Sequence, residues 1–250
     1  MNIRPNRVKQ TLAAGGVATI CSGLSAADDI ESMTPEGFDG VWLEGEHGPV
    51  DAADLGNLTR ACDLAGVTSV VRVNRNDQNL IYRTLDRGAQ GIVVPHVNTK
   101  EEAENVVAGG KFAPIGRRGA FISRQGYRVD NYFQVANDHT LLIVLIEDII
   151  AVENLDSILE VDHIDVFFVA PSDLAFTMGL VGDAKHPDVT KVVHETLGRI
   201  TAAGRTAGTM SGNADVADRV QAGARLLFTT VHAWVAAGAA AFRQQALGAV

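Results

Sequence analysis

The sequence predicts an α/β protein, a single (β/α)8 TIM barrel. Three observations carry that prediction. Short apolar runs recur about eight times between longer amphipathic segments, and they show no polar alternation. Strands apolar on both faces belong to a parallel sheet covered on both sides, and intervening helices make βαβ units. The chain has 250 residues, and such a barrel usually takes about 250. No linker, low-complexity tract or boundary interrupts it, so residues 1–250 read as one domain.

The elements follow in order. Val17–Cys21 reads as a first buried strand, then a short helix through Met33 capped by Ser25 or Asp28. Arg4, Arg7 and Lys9 ahead of the stretch 11–27 mimic a signal peptide. Gly15 and Gly16 interrupt that stretch, and the expectation is that it belongs to the fold. Val41–Leu43 is a strand, and 51–65 a helix closed by Gly66. Ser69–Val73 is a strand, and 79–87 a helix closed by Gly88. Gly91–Pro95 is a strand, and 99–108 a helix opened by the capping box Thr99-x-x-Glu102. Leu141–Ile146 and Val166–Val169 are strands, with 152–159 helical between them. Helix 188–203, strand 206–209, helix 214–222, strand 226–230 and helix 234–247 complete the alternation.

One departure stands out. About 30 residues separate the fourth helix from Leu141, longer than most connections in compact domains. They hold Arg117, Arg118, Arg124, Arg128, Tyr127 and Tyr132. This stretch is either a solvated cover for one barrel end or an electropositive lid over an anionic substrate.

Composition narrows the function. The formal net charge is −9, which argues against nucleic acid and an anionic membrane surface as partners. No apolar run is long enough to span a bilayer. Cys21 and Cys62 form no CxxC pair and read as buried reduced thiols of a cytoplasmic protein. Neither GxGxxG after a strand nor GxxxxGK[ST] occurs.

Chemistry in this fold sits where strands end. Strand 2 delivers Glu44, then Glu46 and His47; strand 3 Arg72; strand 4 His96; strand 5 Glu147 and Asp148; strand 6 Asp173. Glu147 and Asp173 lie about one βα unit apart, hence on neighbouring strand ends. Two carboxylates make a hard-oxygen site suited to Mg²⁺, with Mn²⁺ or Co²⁺ as other fits. The same carboxylates could instead cap helices or pair with arginines. Arg72, at the end of a buried strand, must meet an anion: Glu44, Glu147 or a substrate oxyanion. His47, in a turn bounded by glycines and Pro49, suits a general base, with Glu44 placed to orient its ring. The remaining histidines read as structural.

Together these segments resemble the HpcH/HpaI aldolase/citrate lyase family, specifically its class II pyruvate-type 2-keto acid aldolases. The resemblance runs through Gly37-Phe38-Asp39 to Glu46-His47-Gly48-Pro49, Val71-Arg72, Gly88-Ala89-Gln90-Gly91 to Val94-Pro95, and Gly116-Arg117-Arg118-Gly119. It continues at the strand ending in Glu147, at Pro171-Ser172-Asp173-Leu174, Met178-Gly179 and His186-Pro187. It implies a divalent ion held by Glu147 and Asp173, and a 2-oxo acid carboxylate held by backbone amides near Ser172 and Asp173. It further implies enolate stabilisation by Arg72 and proton transfer by His47 with Glu44. A hexamer with the helix near 234–247 exchanged between subunits, through the Ala-rich segment 235–250, is also implied. The chain departs from the family pattern at Glu44 (usually Asp), Leu145 (commonly Gln), Ala170 (often Gly) and Thr229-Thr230.

The expected activity is reversible, metal-dependent cleavage of a 4-hydroxy-2-oxo acid to pyruvate, or a close analogue, and an aldehyde. No Lys ends a strand, which argues against Schiff-base chemistry. The alternatives are a related C–C lyase or condensing enzyme acting on a dicarboxylate or CoA thioester, and a non-catalytic anion-binding barrel.

Overall fold

The structure, a computed structural model, describes residues 1–248. Eight parallel strands close into a barrel in chain order. They are β1 (Ala18–Ser22), β2 (Gly40–Glu44), β3 (Thr68–Arg72), β4 (Gly91–Val94), β5 (Leu141–Ile146), β6 (Val166–Val169), β7 (Ala207–Met210) and β8 (Ala224–Thr230). Closure comes from β1 pairing with β8, Ala18 opposite Leu226 through Ser22 opposite Thr230.

The helices are α1 (Arg7–Ala13), α2 (Ala27–Met33), α3 (Leu55–Leu64), α4 (Gln78–Asp86), α5 (Lys100–Gly110) and α6 (Tyr132–His139). They continue with α7 (Ile149–Glu153), α8 (Leu155–Leu159), α9 (Pro171–Thr177), α10 (Pro187–Ala202), α11 (Val216–Gln221) and α12 (Val231–Gly248). The capping box at α5 forms: the Thr99 side chain accepts from the Glu102 amide, and the Glu102 carboxylate accepts from the Thr99 amide. At α2 neither Ser25 nor Asp28 caps. Ala26 takes that position without a side-chain bond, and Asp28 and Asp29 lie in the first turn, where acidic charge favours the helix dipole. The single helix expected over 152–159 is two, α7 and α8, joined at Asn154.

Strand periodicity divides the core. Odd-numbered β2 positions Val41 and Leu43 face the helices. Trp42 on β2, Val70 on β3, Leu145 on β5, Phe168 on β6 and Phe228 on β8 fill the barrel. Two residues beyond each of those lie Glu44, Arg72, Glu147, Ala170 and Thr230, so the alternation that packs the interior also aims the next inward residue into the mouth.

The long segment after α5 lies at the opposite end. It follows a helix and precedes a strand, so it covers the strands' N-terminal ends. Arg118 pairs with Asp86 at 2.7 Å, and Arg124 with Asp63 at 2.6 Å. Tyr132 begins α6 and donates its hydroxyl to Ser123. Beside them α1 plugs the base, where Asn6 Nδ2 donates to the Gln90 and His139 carbonyls. The segment is therefore a structural cover for the base and not a lid over the mouth.

Candidate active site

At the mouth, Glu44 and Arg72 are register partners at the ends of β2 and β3. Their side chains form a bidentate pair. Arg72 Nε donates to both Glu44 carboxylate oxygens at 3.0 and 2.8 Å, and Nη2 lies 2.7 Å from Glu44 Oε2. Nη1 lies 2.8 Å from Glu46 Oε2. Three of the five guanidinium N–H groups are thereby engaged, leaving one on each terminal nitrogen for a ligand. The guanidinium also lies 5.8 Å from the centroid of the Trp42 ring.

Glu44 does more than pair with Arg72. It accepts from Trp42 Nε1 at 3.0 Å and from the backbone amides of Glu46 at 2.8 Å and His47 at 3.0 Å. Burial pushes its carboxyl up, but the Arg72 pairing and the two amides outweigh burial and hold it below the ordinary carboxylate range. Glu44 thus binds the His47 backbone; the His47 ring is 70% exposed, with Nε2 3.7 Å from Glu46 Oε2. The turn is tight: a Cβ at Gly48 would meet the Glu44 carbonyl at 2.6 Å.

Across the mouth, the Glu147 side chain is only 2% exposed. Its Oε1 accepts from the His96 amide at 2.7 Å and lies 3.3 Å from His96 Nδ1. No described residue hydrogen-bonds its Oε2, and none pairs with the Asp173 carboxylate. Burial raises the Glu147 carboxyl above its ordinary range, the His96 amide and imidazole oppose this, and the carboxylates of Asp173 and Glu46 raise it further. Two carboxylates lacking a cationic partner from the protein's lysines and arginines are an oxygen donor set that fits a hard divalent cation. They are a pair, and no cluster of three or more such groups occurs among the described residues. Water or substrate oxygens would therefore complete any coordination.

A cleft of about 280 Å³ lies between Arg72 and Asp173, lined on its polar side by Glu44, His47, Arg72, Ser172 and Asp173. Leu145 is buried in its wall, and the rings of Trp42, Phe168 and Phe228 form its floor, with Trp42 centred 5.7 Å from Phe168 and 4.7 Å from Phe228. That apolar floor lowers the local dielectric and strengthens every charge interaction above it. Pro171 and Ser172 open α9, whose first amides carry no side-chain cap.

Two residues at the site escaped the functional reading of the sequence, Glu46 and His96. Glu46 was visible in the Glu44-Gly45-Glu46-His47 turn, but its grip on Arg72 depends on how that turn folds back. His96 adopts φ +53°, a left-handed conformation uncommon for a residue with a side chain. It places its amide on Glu147 and its Nε2 3.7 Å from Glu46 Oε1. No local sequence signal announces that.

A profile described as HpcH/HpaI aldolase/citrate lyase matches residues 21–232. The 2-keto-3-deoxy-L-rhamnonate aldolase of Klebsiella pneumoniae subsp. pneumoniae is 39% identical over 194 residues, covering 76% of this chain and 72% of that one. The 5-keto-4-deoxy-D-glucarate aldolase of Shigella boydii serotype 18 is 37% identical over 211 residues, covering 83% and 82%. Among solved structures, an HpcH/HpaI aldolase/citrate lyase family protein from Burkholderia cenocepacia J2315 superposes with a TM-score of 0.88 at 29% identity, covering 96% and 99%.

Proposed function

The chain belongs to the HpcH/HpaI aldolase/citrate lyase family and is a carbon–carbon lyase of the aldolase type; we propose that it cleaves a 4-hydroxy-2-oxo acid reversibly to pyruvate, or a close analogue, and an aldehyde. The observation that carries this is the division of charge at the mouth. Arg72, with two free N–H groups, faces carboxylates that no described lysine or arginine neutralises. That arrangement suits a 2-oxo acid whose negative charge moves onto the keto oxygen as the C3–C4 bond breaks.

Glu147 and Asp173 would hold a divalent cation, Mg²⁺ or Mn²⁺ by donor type. When bound it supplies Lewis-acid polarisation of the keto group. The α9 amides at Ser172 and Asp173 receive the substrate carboxylate. His47 removes the proton from the 4-hydroxyl, directly or through water, and returns it to the aldehyde oxygen in the reverse reaction, while solvent water protonates C3 of the enolate. Arg72 donates its remaining hydrogen bonds to the enolate oxygen. Glu44 and Glu46 hold the guanidinium flat against the site. Related enzymes act on deoxy-keto sugar acids, which supports a hydroxylated substrate here.

The exposed apolar residues of α12 support a homo-oligomer, with a hexamer as the expected form. Beyond its first turn the helix stands free of the barrel, with Val235, Phe242 and Leu247 exposed. Its exchange between subunits would bury them; residues 249 and 250 of the Ala-rich segment lie outside the described residues. In the described residues no helix is long and apolar enough to cross a membrane, consistent with a cytoplasmic enzyme acting on small molecules.

The decisive experiment is retro-aldol turnover before and after exhaustive chelation. Activity should vanish with EDTA and return with Mg²⁺ or Mn²⁺, and Glu147→Gln or Asp173→Asn should not recover it. Full turnover after chelation would remove the cation from the reading.

A further inference from the structure

A second cleft, about 340 Å³, opens on the other side of Glu44 and Trp42, which line both. Its walls come from the end of β1, the turn after β2 and the start of α12, so it belongs to the catalytic face of the barrel. The oxo-acid cleft lies toward Arg72 and Asp173; this one lies toward Ser22, Ser25 and His232. The two clefts share Glu44 and Trp42 as a common wall, and His47 lines the first of them.

The lining has a definite chemistry. Ser22, Ser25 and His232 bring two hydroxyls and an imidazole, none hydrogen-bonded to another described residue. Leu24, Trp42 and Pro49 supply apolar surface. No lysine or arginine lines it, and its one charged group, Glu44, is already matched by Arg72. A ligand carboxylate would have no counter-cation there, and in a chain of net charge −9 it would meet general repulsion. A purely aliphatic chain would bury three polar groups without partners. The packing at His232 is specific as well. Gly23 has φ +100°, and a Cβ there would meet the His232 ring at 2.8 Å, so position 23 must lack a side chain for the ring to lie where it does.

We propose that this second cleft receives the half of the substrate released as the aldehyde, and that His232, with Ser22 and Ser25, selects a neutral hydroxylated chain. The proposal rests on the aldolase reading given above. His232 acts by binding and takes no part in the bond-breaking step.

The test compares kcat/KM for glyceraldehyde, propanal and glyoxylate, each with pyruvate as donor. The wild type should favour glyceraldehyde over both. His232→Ala should lower the glyceraldehyde-to-propanal ratio about fivefold, the worth of one hydrogen bond. The loss should appear in KM for glyceraldehyde and not in KM for pyruvate. His232→Asn should keep part of the ratio, since its amide both donates and accepts. Gly23→Ala should reproduce His232→Ala by displacing the ring. An unchanged ratio in His232→Ala, or a wild type that prefers glyoxylate, overturns the assignment. Exchange of pyruvate methyl protons with D₂O by the wild type separates the two levels. If exchange occurs and the ratio does not respond, the cleft alone is wrong; if no exchange occurs, the aldolase reading fails and the cleft assignment falls with it.

Discussion

Arg72 is held in place by carboxylates on two sides, and this decides how its variants should behave. Arg72→Ala removes the ligand's donor and also leaves Glu44 and Glu46 facing each other without their cation. Both pyruvate proton exchange and aldol cleavage should fall by about 10²–10³-fold. Arg72→Lys should recover little, because an ammonium cannot span Glu44 and Glu46 and still present two donors to the substrate. Measuring both reactions on each variant checks this; near-normal exchange in Arg72→Ala would place the enolate elsewhere. His47 is expected to behave differently. Its ring is exposed and lies 3.7 Å from Glu46; with its proposed role confined to the 4-hydroxyl, His47→Ala should lose aldol cleavage by about 10²–10⁴-fold and keep part of the exchange. Glu44 bonds the backbone of residue 47 and not its ring, so Glu44→Gln should resemble a weakened Arg72 variant, losing both reactions together. If it instead matched His47→Ala, the ring and Glu44 would be coupled in solution.

Among the elements, α5 shows how local chemistry anchors a layer of the barrel. Its capping box satisfies amides at the first turn, and Ala103 and Val106 bury one face. Asn105 on the same helix reaches Asn76 and Gln78, tying α5 to the turn before α4. Thr99→Ala should cost about 1 kcal/mol of unfolding free energy, read from urea denaturation, without changing turnover. A loss within error of zero would mean that Asn105 and the buried face carry the helix start unaided. The element most changed by tertiary context is the segment after α5. Two of its four arginines, Arg124 and Arg118, pair with Asp63 and Asp86, and Tyr132 bonds Ser123. A cluster of positive charge in the sequence became internal wiring of the barrel base.

At the scale of the molecule, the two barrel ends divide their labour. The C-terminal end of the strands leaves charged groups open to a ligand, whereas the N-terminal end closes over its own. Lys111 is the clearest case at the base: its Nζ donates to the Asn137 and Thr140 carbonyls at 2.6 and 2.7 Å. Burial pushes its pKa down to about 8; Asp165 and Asp138 oppose this, and Lys9 and Arg118 reinforce it. An unfolded lysine keeps its proton to about pH 10.4. Between those values the unfolded chain binds the extra proton, so stability from this group rises as pH climbs from 8 toward 10, and the penalty is complete below 8. Lys111→Met should flatten that rise. Urea unfolding at pH 7.5, 9 and 10 on both proteins checks it, and a wild type losing its advantage over the variant as pH rises would contradict the sign.

The sequence by itself determined the barrel, because strand and helix periodicities are local and eight repeats of them close in only one common way. It also determined which side chains stand at the mouth, Glu44, His47, Arg72, Glu147 and Asp173, since each ends a strand, opens the helix beyond it or lies in the turn just past it. Tertiary structure alone decided their partners. Glu46 reaches Arg72 because the turn after β2 folds back, and His96 reaches Glu147 because neighbouring strands bring residues from different units within bonding distance. It also opened the second cleft, where the end of the first strand meets the helix that follows the last strand only because the sheet closes on itself. Periodicity records the face a side chain takes; it carries no record of the residue it meets across a closed sheet.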